Sequence, residues 1–144
     1  MSESRICNEI TKLKIDPPNG ISINVNEDIY NWDGMIIGPD DSPWEGGIFQ
    51  LKIKLPNEYP HRPPTIKFIT KMFHPNIYKN GNICLDILQS KWSPVYDIRS
   101  VLISIQSLLT DPNTSSPANL DASKLYTSDI KEYNRKVRSY IENN

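Results

Sequence analysis

A cysteine and an asparagine in one short polar stretch are the residues of this chain best suited to chemistry. Cys84 lies among apolar residues, and Asn76 precedes it by eight positions in a loop that contains Gly81. A cysteine sulfur is a strong nucleophile once it has lost its proton, and a fixed side-chain amide can stabilise an oxyanion. The pair therefore predicts nucleophilic chemistry at a sulfur beside an amide donor.

The residues that accompany Cys84 argue against other kinds of site. The two cysteines and two histidines have spacings that match no metal site. None of the six glycines lies in a Gly-x-x-x-x-Gly-Lys frame, so we expect that the chain does not itself hydrolyse ATP. A cysteine protease needs a general base, and the only local candidate, His74, is followed by the rigid Pro75. What remains favours a sulfur that receives an activated acyl group and donates it again.

Length and composition restrict the class of protein. A chain of 144 residues predicts one domain over residues 1–144 with a core of its own. A net charge of -1 gives no general attraction to nucleic acid or to an anionic membrane, and no apolar run is long enough to span a bilayer. With two cysteines and no signal-peptide core near Met1, we expect a reducing compartment, the cytoplasm or the nucleus.

Periodicity predicts the elements that must position Cys84. Ile6, Ile10 and Leu13 indicate an amphipathic helix over residues 4–13. Alternating apolar residues then predict four strands joined by short links as an antiparallel meander. These strands are expected over residues 21–25, 30–37, 49–55 and 65–69.

After Cys84 the apolar period becomes helical. Residues 98–109 predict a central helix across the sheet, with Asp97 as its N-cap and a stop at residues 111–113. Two more helices are expected over residues 118–126 and 128–141, the last with Ile130, Tyr133, Val137 and Ile141 in one apolar stripe. The predicted fold class is α+β: an N-terminal helix, a four-stranded antiparallel β-meander, a central helix and two C-terminal helices.

Four motifs in the same order resemble the ubiquitin-conjugating enzymes. They are Tyr59-Pro60-His61-Arg62-Pro63-Pro64, His74-Pro75-Asn76, Cys84-Leu85-Asp86-Ile87-Leu88 and Trp92-Ser93-Pro94. The resemblance covers essentially the whole chain and implies a bare catalytic core. It also implies that Cys84 accepts activated ubiquitin as a thioester and that, with a ligase, the ubiquitin passes to a lysine amine. No cofactor is implied, because the upstream activating enzyme uses the ATP.

Other segments bear on the subclass and the cargo. Residues 104–109 and 116–119 resemble the DNA-repair class that monoubiquitinates histones and the sliding clamp, whereas residues 38–43 resemble the broad-specificity class. The lack of an insertion between Leu88 and Trp92 favours ubiquitin over SUMO. Two alternatives stay open: an enzyme for another ubiquitin-like modifier, and a noncatalytic ubiquitin-binding scaffold, which the presence of Cys84 disfavours.

The resemblance assigns roles within the active-site region. Cys84 matches the nucleophile, whereas Cys7 lies outside any motif and is expected to be structural. Asn76 either stabilises the oxyanion formed when lysine attacks or orders its own loop. Asp86 either helps to position or deprotonate the incoming lysine, or it caps a loop. His74 and Pro75 are interpreted as structural, a ring bonded to the loop backbone and a rigid turn.

Ser116 departs from a common family pattern. Many members carry an acidic residue there, and a serine cannot supply that negative charge. We expect phosphorylation of Ser116 to restore the charge and to speed transfer to lysine.

The resemblance also predicts surfaces for partners. Ligases of the RING or HECT type and the activating enzyme are expected at Arg5, at His61 and at the loop Trp92-Ser93-Pro94-Val95. Alternatively, Trp92 packs in the core and Arg5 belongs to a solvated helix face. A second, noncovalent ubiquitin is expected on the sheet near Ser22. We expect a monomer that binds ubiquitin and substrate lysines, without direct contact to nucleic acid or membrane.

Overall fold

A helix, a four-stranded sheet and three further helices follow one another along the chain. The computed structural model describes residues 2–144. The elements are α1 (Ser2–Ile15), β1 (Ile21–Val25), β2 (Asn31–Ile37), β3 (Ile48–Lys54), β4 (Thr65–Phe68), α2 (Ile98–Thr110), α3 (Leu120–Ser128) and α4 (Ile130–Glu142), with a 3-10 turn at Asp86–Leu88. The predicted α+β architecture is confirmed.

The sheet is an antiparallel meander in the order β1-β2-β3-β4. In β3 the side chains of Phe49, Leu51 and Ile53 are buried, while the residues between them are exposed. This alternation follows from the two-residue period of a strand, and it matches the prediction. One face of the sheet therefore packs in the core and the other faces solvent.

Helix α2 shares one hydrophobic core with the buried face of the sheet. The Asp97 side chain accepts a hydrogen bond from the Ser100 N–H at 2.8 Å, and the Ser100 hydroxyl accepts one from the Asp97 N–H at 3.0 Å. This reciprocal cap begins the helix at the predicted residue. Buried residues such as Val101, Leu102 and Ile105 then join the core. The C-terminal end of α2 directs the chain toward the loop that contains Cys84.

The last two helices begin two residues later than predicted. Asn119 caps α3 and Asp129 caps α4, each side chain accepting a bond from a backbone N–H three residues further on. Ile130, predicted in one apolar stripe with Tyr133 and Val137, does not join them in the core, because the residue is 48% exposed. Ile130 is the first residue of α4, one turn before the helix meets the core through Tyr133 and Val137.

Among residues 2–144, no helix has the length and apolar character needed to cross a bilayer.

Candidate active site

Cys84 ends a loop whose backbone is bonded to itself and to the sheet. The Cys84 N–H donates to the Asn76 carbonyl oxygen at 2.8 Å, and Ile77 pairs with Ile83 across the loop. The carbonyl oxygen of Gly81 accepts from a backbone N–H of β4 at 2.9 Å. These bonds hold residues 76–84 against the last strand and give the sulfur a defined position.

Gly81 is required for this close approach. Its φ is +94°, and a Cβ at this position would lie 2.0 Å from the carbonyl oxygen of Phe68. No larger residue fits without displacing the loop from β4. The predicted Gly-containing loop can therefore lie against β4 only because residue 81 is a glycine.

The sulfur of Cys84 is partly exposed and has no base bonded to it. Its only contact at hydrogen-bond range among residues 2–144 is the carbonyl oxygen of Ser116, at 3.9 Å. The Ser116 side chain is itself exposed. Cys84 can therefore be reached by a large acyl donor. The segment after α2, which contains Ser116, lies along one side of the sulfur.

His74 cannot act as a base toward that sulfur. Its Nε2 is hydrogen-bonded to the Leu108 carbonyl oxygen at 2.6 Å, and its Nδ1 accepts from the Asn76 N–H at 2.9 Å. Burial lowers the pKa of His74 to about 4, so the ring is neutral at neutral pH. Both nitrogens are occupied, and the ring joins the active-site loop to α2.

The Asn76 carboxamide joins two loops. Its Nδ2 donates to the Asn113 carbonyl oxygen at 2.6 Å, and its Oδ1 accepts from the Asn113 N–H at 2.8 Å. Asn76 is buried, with only 2% of its surface exposed. The neighbouring Pro75 carbonyl oxygen accepts from Ala118 N–H at 2.7 Å. This geometry favours loop ordering over direct oxyanion stabilisation, because the amide oxygen and one of its two N–H groups are used between the loops and the residue is buried.

Asp86 has an exposed carboxylate two positions after Cys84. It begins the 3-10 turn two residues after Cys84, and its side chain is exposed and accepts no hydrogen bond from residues 2–144. Its backbone oxygen does bond the turn, accepting from Gln89 and Lys91 N–H groups at 3.0 Å. Any capping here is therefore done by the backbone, which leaves the carboxylate available to an incoming amine.

The family model described as ubiquitin-conjugating enzyme matches residues 5–141. The chain is 49% identical to "Ubiquitin-conjugating enzyme E2 3" of Arabidopsis thaliana over 98% of this chain and 95% of that protein. It is 50% identical to "Ubiquitin-conjugating enzyme E2 2" of Neurospora crassa, over 96% of this chain and 92% of the relative. The chain belongs to the ubiquitin-conjugating enzyme family.

A ubiquitin-conjugating enzyme is a transferase that works through a thioester intermediate. It takes activated ubiquitin from an activating enzyme and, with a ligase, transfers it to a lysine amine of a target protein. A partly exposed cysteine on a hydrogen-bonded loop, whose sulfur contacts no side-chain base among residues 2–144, is the kind of site such a carrier needs.

The residues predicted to dock partners of this ubiquitin-conjugating enzyme lie on two loops beside α1. His61 and Pro94 are exposed, Ser93 is half-buried, and Val95 is 86% exposed. Trp92 is partly buried, and its Nε1 donates to the Pro60 carbonyl oxygen at 2.9 Å. The tryptophan thus joins the two loops, while His61 and Val95 face solvent.

Arg5 does not lie on a solvated helix face. Its guanidinium donates to the carbonyl oxygens of Pro94, at 3.1 Å, and Tyr96, at 2.7 Å. It also pairs with Glu9 at 2.7 Å. The arginine therefore fastens α1 to the loop after Trp92.

Ser22 lies away from Cys84, on the open face of the sheet. It borders a shallow groove of about 420 Å³ whose lining includes Met35, Gln50 and Ile69. Ile37, Ile48 and Ile69 are each more than half exposed. This face offers apolar surface to a partner.

Glu9 is the residue that sequence reasoning missed. It is only 6% exposed, although it is charged. The available signal was its position, three residues after Ile6 and four before Leu13, on the apolar stripe of α1.

Proposed function

We propose that Cys84 is the residue that carries ubiquitin. Its thiolate attacks the carbonyl carbon of the thioester on the activating enzyme, and the activating enzyme's sulfur leaves as a thiolate. A lysine amine of the target then attacks the new thioester, loses a proton, and expels the Cys84 thiolate as the amide forms. The observation that carries this proposal is the partly exposed sulfur, which lies 3.9 Å from one backbone oxygen and contacts no side-chain base among residues 2–144.

The same environment supports transfer to an amine over hydrolysis. Water is a weak nucleophile and needs a general base to attack a thioester efficiently. His74, the histidine nearest to Cys84 in the sequence, has both nitrogens engaged, and a negatively charged carboxylate such as that of Asp86 attracts an ammonium ion more strongly than a neutral water. A lysine amine is a strong nucleophile once deprotonated. We propose that the free Asp86 carboxylate attracts the lysine ammonium and accepts its proton, since Ser116 has no charge for this task.

The experiment for Cys84 is a charging reaction. The protein is mixed with activating enzyme, ATP and ubiquitin, and the products are separated with and without thiol. We expect a thiol-sensitive adduct in the wild type and in Cys7→Ala, and none in Cys84→Ala. Cys84→Ser should give a thiol-resistant ester instead. A thiol-sensitive adduct that persists in Cys84→Ala would refute the assignment.

We further propose that this enzyme belongs with the DNA-repair class and adds single ubiquitins to histones or the sliding clamp. The support is the likeness of residues 104–109 and 116–119, including the serine at position 116. Charged enzyme with a ligase and nucleosomes should give one modified histone band. A ladder of polyubiquitin chains on the substrate would contradict this class.

For docking, we propose that a RING- or HECT-type ligase and the activating enzyme bind the loops that expose His61 and Val95. Val95, at 86% exposure, is the most prominent apolar tip of these loops. Val95→Glu should weaken ligase-stimulated transfer while leaving the fold intact. Unchanged stimulation at subsaturating ligase would contradict this surface.

We also propose that the open sheet face near Ser22 binds a second ubiquitin noncovalently. The exposed isoleucines Ile37, Ile48 and Ile69 support an apolar contact there. Ser22→Arg should abolish ubiquitin-induced shifts on this face in a nuclear magnetic resonance titration and leave Cys84 charging unchanged. Persistent shifts in that variant would place the second ubiquitin elsewhere.

Finally, we propose that the enzyme acts as a monomer in the cytoplasm or nucleus and needs no cofactor of its own. The near-neutral charge and the two free cysteines support such a setting. Light scattering of the purified protein should give the mass of a monomer. The protein should also still be charged with ubiquitin after exhaustive chelation and dialysis, when magnesium and ATP are supplied for the activating enzyme.

A further inference from the structure

A buried carboxylate in α1 bonds three separate segments of the chain. Glu9 Oε2 accepts from Arg5 Nε at 2.7 Å and from the Tyr59 hydroxyl at 2.6 Å. Its Oε1 accepts from the Ile98 N–H, at the first residue of α2, at 2.8 Å. A buried carboxylate is costly unless its oxygens are paired. Here both are, and the partners come from α1, from the loop after β3 and from the start of α2.

The partners of Glu9 lead directly to the two exposed loops. Arg5, oriented by Glu9, donates to the backbone of the loop at residues 92–96 through Pro94 and Tyr96. Tyr59, also bonded to Glu9, begins the loop at residues 59–61. One carboxylate thus reaches both loops through two different side chains.

The side chains that Glu9 bonds also pack against one another and against Trp92, so the two loops are connected through a continuous set of contacts. The Arg5 guanidinium lies 5.6 Å from the centre of the Tyr59 ring, and the Tyr59 ring lies 5.9 Å from that of Trp92. Burial and the hydrogen bond to Glu9 raise the pKa of Tyr59 above its usual value, so its hydroxyl stays a donor. The buried Glu9 carboxylate therefore holds the two loops at a fixed spacing, although it is not itself on the surface of either loop.

We propose that Glu9 is a positioning residue for partner docking: its carboxylate sets the spacing between the loops at residues 59–61 and 92–96, and so determines how tightly the activating enzyme and the ligase bind. Glu9 touches neither partner, because it is buried beneath both loops. This inference rests on the proposed function of those loops as the docking surface.

Glu9→Gln removes the charge and keeps the volume. Its single remaining oxygen cannot serve Arg5, Tyr59 and the Ile98 N–H together, and its NH2 group is a donor where an acceptor is needed. Arg5 then loses its ionic partner, and the loop that it holds can shift. The sulfur of Cys84 lies in a different loop, so its reactivity toward a small amine should not change.

The test compares docking with intrinsic chemistry. Charging by activating enzyme is measured across concentrations of the conjugating enzyme to separate KM from kcat. Discharge is measured across ligase concentrations, and also to free lysine without ligase. For Glu9→Gln we expect about a tenfold rise in KM and in the half-saturating ligase concentration, with ligase-free discharge within about twofold of wild type. A merely structural role would instead lower all activities together.

Two controls make each outcome interpretable. Glu3→Gln makes the same charge change on the same helix at an exposed position, and it should leave KM within about twofold. If it raises KM as much as Glu9→Gln does, charge alone explains the effect and the inference fails. Tyr59→Phe removes one hydrogen bond only, and should raise KM in the same direction by a smaller factor. If Glu9→Gln does not fold, an unchanged KM in Tyr59→Phe overturns the inference.

Val95→Glu separates this inference from the docking proposal. It alters the exposed tip and touches none of the bonds to Glu9. If Val95→Glu raises KM and Glu9→Gln does not, the docking surface stands and the role of Glu9 is refuted. If Val95→Glu changes neither charging nor ligase stimulation, the docking proposal itself fails.

Discussion

Replacing Asn76 by alanine removes the two side-chain hydrogen bonds that join Asn76 to the segment after α2 and keeps the backbone bonds from that segment to Pro75. The two side-chain bonds link the carboxamide to the N–H and C=O of Asn113 at 2.8 Å and 2.6 Å. Each such bond contributes about 0.5–1.5 kcal/mol net. Asn113 is exposed, so water can pair its backbone once the loop moves. We therefore expect Asn76→Ala to lower the free energy of unfolding by about 1–3 kcal/mol.

Aspartate at the same position makes the test depend on pH. One carboxyl oxygen can still accept from the Asn113 N–H, but the other replaces Nδ2 and faces the Asn113 carbonyl oxygen at 2.6 Å. Only the protonated acid can donate there, so folding should raise the pKa of the introduced carboxyl group above its ordinary value of about 4. The stability of Asn76→Asp relative to wild type should therefore be best at low pH and be lost as the pH rises.

The assay combines urea unfolding with ubiquitin discharge to free lysine. Unfolding is measured for wild type, Asn76→Ala and Asn76→Asp at about pH 4.5 and pH 7.5, and each variant is compared with wild type at the same pH. Loop ordering predicts that stability and discharge fall together. The reasoning is refuted if Asn76→Ala keeps wild-type stability while its discharge slows roughly 10²–10³-fold, the loss expected for an oxyanion donor alone.

Three further predictions concern the same region. Because burial lowers the pKa of His74 from 6.5 to about 4, stability present above about pH 6.5 should fall by about 3 kcal/mol as the pH drops toward about 4, at about 1.4 kcal/mol per pH unit. Urea unfolding should show this loss in wild type and in His61→Asn, and less of it in His74→Asn. Ser116→Asp should speed discharge to free lysine severalfold, and an unchanged rate would argue against a need for charge there. In urea unfolding, Gly81→Ala should cost about 2–5 kcal/mol, because an added Cβ would lie 2.0 Å from a backbone oxygen of β4 (about 1–3 kcal/mol for overpacking) and φ is positive (about 1–2 kcal/mol). Gly46→Ala, with nothing within 4 Å, should cost only the roughly 1–2 kcal/mol of its positive φ.

Local patterns predicted most of the architecture. The alternation in β3 and the cap at Asp97 depend on neighbours a few residues away, and both are as expected. The predicted starts of α3 and α4 are wrong because the helix begins after its N-cap residue and not at the first residue of the apolar pattern. Asn119 and Asp129 begin helices that apolar spacing alone placed two residues earlier, which leaves Ile130 in the first turn and in solvent.

The order of the motifs and the membership of the family were readable from the chain, because they depend on residue type and spacing. The partners of the polar side chains were not. Asn76 meets Asn113 across 37 positions, Glu9 meets Ile98 across 89, and Arg5 meets Tyr96 across 91. Such bonds exist only once α1, α2 and the loops pack together. Periodicity in the sequence reports on neighbours a few residues apart, and it cannot indicate which distant residues will meet. Packing is therefore what bonds the Asn76 side chain to the segment after α2 and makes Glu9, on the buried face of α1, a link to the loops at residues 59–61 and 92–96.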